Sequence, residues 1–128
     1  MDFRLVEIWL NEVAEKYYKR IGNLNYLFCD DDEILTINRQ FLNHDYFTDI
    51  ITFDYSHSNR VAGDIFISLD TVRSNAVELK VDYSEELLRV IAHGLLHLCG
   101  IDDKGPGERE IMEKNENDAL AIWKSLKI

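Results

Sequence analysis

Residues that cross-link or break a chain are scarce in this sequence. Its 128 residues include two cysteines, one proline and six glycines. Cys29 and Cys99 each lie in an apolar segment, which is typical of reduced thiols in a cytosolic protein and excludes a disulfide framework. No apolar run approaches the roughly 20 residues of a membrane-spanning helix, and the first residues lack the layout of a secretory signal. We therefore expect a cytoplasmic protein without a membrane segment.

Basic residues are also in the minority. Lysine and arginine total 14 against 24 aspartates and glutamates, so the formal net charge is −10. This charge argues against binding to polyanions through the overall charge of the protein, although a local basic groove or a bound metal can still attract one. The apolar content of 46% is that of a globular protein, and the length allows one hydrophobic core. We expect residues 1–128 to form a single domain.

Hydrophobic periodicity predicts an α+β fold with about five helices packed on a small mixed sheet. The predicted order is helix, strand, helix, strand, strand, helix, helix, helix, and the second and third strands are expected to form an antiparallel pair. The strands are predicted over Leu24–Cys29, Ile50–Tyr55 and Val61–Ser68. The first helix is predicted over 3–20, with Ile8 and Trp9 facing the core and with Gly22 and Asn23 as its end signal. Three further helices are predicted from the acidic triplet 30–32 to Phe41, from the cap Asp70 to Leu79, and from the cap Asp82 or Ser84 to Gly100. The last helix is predicted beyond 105–107, with Ile111 facing the core.

Two histidines four residues apart stand in a run of good helix formers. On a helix, His93 and His97 share one face, roughly 6 Å apart along the axis, and neutral imidazole is a common zinc ligand. Gly100 can end the helix in the left-handed conformation, so the chain can bring Asp102 or Asp103 back toward the imidazoles. The spacing therefore predicts a three-ligand site for a divalent ion at the end of a central helix. Hydrogen-bonded core histidines are the alternative without a metal.

Zinc proteases share this histidine spacing, but in them the residue after the first histidine is a glutamate that acts as the general base. Here that position is Gly94. Peptide hydrolysis by this mechanism would therefore lack its base, which argues against the protease interpretation and leaves other hydrolytic chemistry open.

The run 93–102 resembles the signature of the YbeY family, metal-dependent endoribonucleases of bacterial ribosomal RNA maturation. Upstream, residues 48–53 resemble the family's Thr-Asp-Val-Leu-Ser-Phe stretch, and residues 63–65 match its Gly-Asp-Ile strand. Together with a fourth block, these motifs occur in the family's order and cover roughly residues 34–103. The fourth block, a Leu-Asn-rich helix and the following loop, is matched by Asn38, Phe41 and Asp45.

This resemblance implies a zinc-dependent hydrolase that cleaves single-stranded RNA during maturation of the small ribosomal subunit and in ribosome quality control. Ribosomal RNA, the small subunit and a ribosome-associated protein are the implied partners. The implied ligands of one divalent metal, zinc before other ions, are His93, His97 and Asp103. The family usually has a third histidine at the position of Asp103, but carboxylate oxygen is also an acceptable zinc ligand and suits harder ions as well.

A second departure from the family is Leu42, which stands where an arginine is usual. A phosphate contact made by that arginine would pass to another cation, and the candidate replacements are Arg39, Arg60 and Lys104.

A third departure is the start of the chain. The chain begins almost at its first helix, whereas the family usually opens with a strand, so an edge strand of the sheet is expected to be short or absent.

Several polar residues are open to two interpretations. Asp102 could orient a histidine ring from outside the metal or bond to backbone at the helix end. Asp49 and Asp64 could orient the loop or the ligands, or bond to backbone at strand ends. His44 and His57 lie in polar loops and are weaker catalytic candidates, so no general base is assigned. Two other functions stay open: a different metallohydrolase, or a ribosome-assembly factor whose metal is structural and fully coordinated by protein.

Overall fold

The computed structural model describes residues 2–42 and 48–127, and these residues form the predicted order of helices and strands. The α+β prediction is therefore confirmed. None of the described helices is long and apolar enough to cross a membrane. The elements are α1 (Phe3–Lys16), β1 (Arg20–Cys29), α2 (Asp31–Phe41), β2 (Ile50–Asp54), β3 (Arg60–Ser68), α3 (Leu69–Leu79), α4 (Tyr83–Leu98) and α5 (Glu108–Leu126).

The described strands form a small mixed sheet in the order β1-β3-β2. The predicted antiparallel pairing of β2 with β3 is confirmed, and β1 runs parallel to β3. In the centre of the sheet, Ile65 is paired with Tyr26 on one side and with Thr52 on the other. Side chains alternate along β3, so that Ile65 and Ile67 are fully buried while Asp64 and Phe66 lie on the opposite face.

The boundary between α1 and β1 differs from the prediction. The helix ends at Lys16, and Tyr18 follows with a left-handed φ of 60°. Gly22, expected to end the helix, lies inside β1. A β-carbon there would lie 2.6 Å from Nε of Arg60, so the glycine makes room for that side chain. The register of β1 against β3 shifts at this point, over residues 21–24.

The first and last helices pack against each other through tryptophan. Trp9 is fully buried, and its indole N–H donates a hydrogen bond to the carbonyl oxygen of Ala119 over 2.7 Å. Its ring meets that of Trp123 edge to face, with 5.3 Å between centroids. The prediction that Ile8 and Ile111 face the core is wrong, since they are 46% and 55% exposed. The apolar stripes are narrower than the sequence pattern suggested.

Helix starts follow the predicted capping chemistry in part. The Asp30 carboxylate accepts a bond from the backbone N–H of Glu33, and the Glu33 carboxylate accepts one from the N–H of Asp30, which forms a capping box. Ser68, rather than the predicted Asp70, caps α3 with its hydroxyl. Asp82 occupies the capping position of α4, without a side-chain bond to the helix.

Helix α4 is central, as expected. It contacts the sheet, α1, α3 and α5. The hydroxyl of Tyr26 in β1 donates a hydrogen bond to the carbonyl oxygen of Ile91 over 2.8 Å, which ties the helix to the edge of the sheet. Its buried residues include Ile91, Leu95 and Leu96. This packing fixes the direction in which the opposite face of the helix, with both histidines, is presented.

Candidate metal centre

The two histidines of α4 and one aspartate after it converge at the C-terminal end of the helix. The rings of His93 and His97 meet edge to face with 4.5 Å between centroids. The helix stops after Leu98, and Gly100 adopts a φ of 100°, which allows the chain to turn back. As a result, Oδ2 of Asp103 lies 3.3 Å from Nε2 of His93 and 3.5 Å from Nε2 of His97.

These three side chains fit a divalent ion. One donor atom from each of His93, His97 and Asp103 can be chosen so that all lie within 4.8 Å of one another. In a tetrahedral zinc site, ligand atoms about 2.1 Å from the ion lie about 3.4 Å apart, which matches the two carboxylate–imidazole distances. Two nitrogens and one oxygen suit zinc and leave a coordination position for water or substrate.

The outer nitrogen of His93 is bonded to a carboxylate that the sequence reasoning missed. Nδ1 of His93 lies 2.7 Å from Oε2 of Glu116, a buried residue of α5. The other oxygen of Glu116 accepts a bond from Arg89 over 3.0 Å. Asp102, one candidate for this role, is exposed, and its charge only partly opposes the lowering of the pKa of His97 by burial. Local spacing could not reveal Glu116, because it lies 23 residues away on another helix.

The two imidazoles differ in basicity although they share one helix face. Burial lowers the pKa of His93, but the hydrogen bond and charge of Glu116, with the charges of Asp103 and Asp49, outweigh it and raise the pKa overall. For His97, burial and the neighbouring His93 lower the pKa, and the opposing charge of Asp103 does not compensate. His97 is therefore the more readily neutral ring, the form that binds a metal.

Two cavities meet at these residues. The smaller has a volume of about 300 Å³ and the larger about 610 Å³, and His93, Asp103 and Asp49 line both. The smaller cavity is lined by Leu42, Thr48 and Asp49, on either side of residues 43–47 in the sequence. Its remaining lining residues are Asn38, Ile50, Ile51, Thr52, His97 and Lys104. The larger cavity is lined by residues of α4 and α5 that include Arg89, Arg109, Met112 and Glu113.

The predicted acidic candidates separate into one at the site and one away from it. Asp49 accepts a hydrogen bond from the amide of Asn75 over 3.5 Å, and burial raises its pKa against the opposing charge of His93. Its backbone oxygen also accepts a bond from Ser68, at the end of β3. Asp64 instead accepts a bond from Asn25 on the far face of the sheet and lines neither cavity.

Of the basic residues predicted to contact substrate phosphate, only one lines a cavity at the site. Lys104 lines the smaller cavity. Arg60 packs over Gly22 at the far end of β3, and neither Arg60 nor Arg39 lines either cavity. His57 is exposed in the turn between β2 and β3, bridged to Arg60. His44 and Asp45, the remaining candidates, lie outside the described residues.

Comparison with known proteins finds a matching family, similar sequences and a similar solved structure. A family model described as Endoribonuclease YbeY matches residues 3–124. Endoribonuclease YbeY of Parabacteroides distasonis is 63% identical over 119 residues, which cover 93% of this chain and 84% of the relative. That of Phocaeicola vulgatus is 65% identical over 114 residues, 89% and 83% of the two chains. The solution structure of TM1509 from Thermotoga maritima matches with a TM-score of 0.66 and 30% identity, over 98% of this chain and 87% of that one.

Proposed function

The chain belongs to the YbeY family, and from this premise we propose that it is a metal-dependent, single-strand-specific endoribonuclease. Its proposed role is maturation of small-subunit ribosomal RNA and ribosome quality control in the cytoplasm, as one metallohydrolase domain. The observation that carries the proposal is the convergence of His93, His97 and Asp103 where two open cavities meet. The 63% identity to a protein named Endoribonuclease YbeY supports this choice of chemistry.

The proposed ligands of one divalent ion, zinc before other metals, are Nε2 of His93, Nε2 of His97 and a carboxylate oxygen of Asp103. A bound ion of this kind supplies Lewis acidity toward a phosphoryl oxygen and lowers the pKa of coordinated water. The two imidazoles supply neutral nitrogen donors, and Asp103 adds a negative charge that a third histidine would not. The site therefore also suits harder ions than an all-histidine site does.

Substrate phosphate needs cations, and the chain offers few of them here. Lys104 lines the smaller cavity, while Arg89 and Arg109 line the larger one. Leu42 occupies the position of the family's usual arginine and lines the smaller cavity with an apolar side chain. With a net charge of −10, long-range attraction to RNA is weak. We therefore propose that the small ribosomal subunit, or a protein bound to it, presents the RNA to this site.

The direct test is cleavage of a labelled single-stranded RNA by purified protein that has been stripped of metal and reloaded with zinc. Cleavage should depend on the added metal and should be lost in His97→Ala. His57→Ala is the matched control, because this exposed histidine lines neither cavity, and it should cleave like the wild type. Equal cleavage by His97→Ala would indicate a contaminating nuclease and contradict the proposal.

The two other functions predict different results. A ribosome-assembly factor with a structural metal would bind zinc but leave RNA intact, with or without small subunits, and depletion in the host would leave the ends of mature ribosomal RNA unchanged. A peptide hydrolase would cleave an unfolded protein substrate in the presence of metal. The structure disfavours the latter at one position, because Gly94 is buried against Ile50 and Ile65 of the sheet.

A further inference from the structure

One imidazole of the candidate metal centre is held from both sides. Nε2 of His93 lies 3.3 Å from the Asp103 carboxylate, on the side where the proposed ion would bind. Nδ1, on the other side of the ring, lies 2.7 Å from Oε2 of Glu116. An ionised carboxylate can only accept a hydrogen bond, and the contact of Nδ1 with Glu116 is the shorter of the two, so we place the single proton of the neutral ring on Nδ1. In the neutral ring, Nε2 is then left with a lone pair directed toward Asp103.

Glu116 is itself held in place. It is 9% exposed, and its second oxygen accepts a hydrogen bond from Arg89 over 3.0 Å. The same guanidinium donates a second bond to the side-chain oxygen of Asn117 over 2.8 Å. Arg89 precedes His93 by one turn of α4, while Glu116 and Asn117 are adjacent on α5. The hydrogen-bonded residues of this network therefore belong to two helices, α4 and α5, that pack against each other.

We infer that Glu116, held by Arg89, is a positioning residue that fixes the orientation and the tautomer of His93 and so prepares the metal centre. This inference rests on the metal site of the proposed function. Metal-ligating histidines commonly donate their other ring N–H to a carboxylate, and loss of such a partner typically costs about 10- to 100-fold in metal affinity. Here that partner comes from the C-terminal helix, outside the 93–103 segment that supplies the ligands.

A merely structural ion pair between α4 and α5 would have different consequences. Removing it would lower the stability of the protein without changing which nitrogen of His93 carries the proton. The tautomer of His93 therefore separates the two roles. Glu116→Gln keeps the size of the side chain and one accepting oxygen but loses the charge, whereas Glu116→Ala removes the partner entirely. A positioning role predicts that glutamine preserves part of the effect.

The experiment compares the wild type with Glu116→Gln, Glu116→Ala and the control Glu113→Gln. Glu113 is exposed, lies on the same helix and lines the same larger cavity. The first readout is the ring ¹⁵N shifts of His93 in metal-free protein at alkaline pH, where the ring is neutral. The second is zinc affinity by chelator competition. We expect the Nδ1–H tautomer in the wild type and the control, and a shift toward Nε2–H in Glu116→Ala.

Zinc affinity should fall about 10- to 100-fold in Glu116→Ala, less in Glu116→Gln, and stay unchanged in Glu113→Gln. An unchanged tautomer and an affinity within about twofold of the wild type in folded Glu116→Ala would overturn the inference. If the alanine variant does not fold, Glu116→Gln and Arg89→Lys carry the same two readouts, and wild-type values in both would overturn it as well. A wild type that binds no zinc would refute the proposed metal site instead, while the tautomer would still decide the role of Glu116.

Discussion

Gly94 meets Ile65 where α4 crosses the sheet: a β-carbon on Gly94 would lie 3.0 Å from both Cδ1 and Cγ2 of Ile65. Ile50 would approach it as closely, and Ile65 is fully buried. The position that carries the general base in zinc proteases is thus turned toward the sheet, away from the imidazoles. The glycine allows close packing of the helix on the strands, and this packing holds the histidine face in place.

We expect Gly94→Ala to lower the free energy of unfolding by about 1 kcal/mol. Overpacking a core costs about 1–3 kcal/mol, which exceeds the gain of about 1 kcal/mol from alanine over glycine in a helix. Gly94→Glu should be far more damaging, since it buries a charge. Chemical denaturation measures both. In an Ile65→Val background, which lacks the Cδ1 atom, the Gly94→Ala substitution should lower the free energy of unfolding by less. A Gly94→Ala variant more stable than the wild type would contradict this account.

Asp103 and Asp102 offer a comparison of neighbouring carboxylates. Asp103→Ala should weaken zinc binding by more than the roughly 10- to 100-fold typical of an outer partner, because it removes a proposed ligand. Asp102→Ala should leave the affinity unchanged, since Asp102 is exposed. Asp103→His should tighten zinc binding, because it supplies a third imidazole, the ligand set of all-histidine zinc sites. Chelator competition measures all three, and equal effects of the two alanine variants would argue against Asp103 as a ligand.

Glu86 should make stability depend on pH. Burial raises the pKa of this carboxyl, Asp49 and Glu116 add to the shift, and Arg89 and a hydrogen bond from Asn75 oppose it. The folded protein therefore holds this proton more tightly than the unfolded chain. The contribution of protonated Glu86 to the free energy of unfolding is therefore fully present below the unfolded-state pKa of this carboxyl and is lost as pH rises through its folded-state pKa.

Glu86→Gln should consequently unfold at higher denaturant concentration than the wild type at pH 7.5, and this advantage should shrink toward pH 4. Glu85→Gln makes the same change at the neighbouring, less buried position in the first turn of α4. The control should show no such gain at neutral pH. A neutral-pH stability of Glu86→Gln below that of the wild type would contradict the direction expected for a raised carboxyl pKa.

Lys104 should contribute one phosphate contact. It lines the smaller cavity beside His97 and Asp103, so Lys104→Ala should raise KM for single-stranded RNA more than it lowers kcat. The slope of log affinity against log salt should fall by about 1. Lys114→Ala is the control, because this exposed lysine of α5 lines neither cavity. An identical salt slope for wild type and Lys104→Ala would exclude the contact.

The part of the site that could be predicted from the sequence is local. His93, His97, Gly100 and Asp103 lie within one helix end and its turn, and helical periodicity with the left-handed tolerance of glycine brings them together. The order of helices and strands follows from periodicity in the same way. Both depend on interactions between residues a few positions apart, which are nearly the same in every fold.

Only the tertiary structure decided which carboxylate bonds to His93 and what Gly94 does. Glu116 reaches His93 because α5 packs on α4, and Gly94 is needed because α4 crosses β3 so closely. The same holds for Gly22, which the local pattern placed at a helix end but which lies inside β1, where it leaves room for the side chain of Arg60. Contacts between distant segments depend on packing distances and angles, to which all elements contribute at once and which no local pattern encodes.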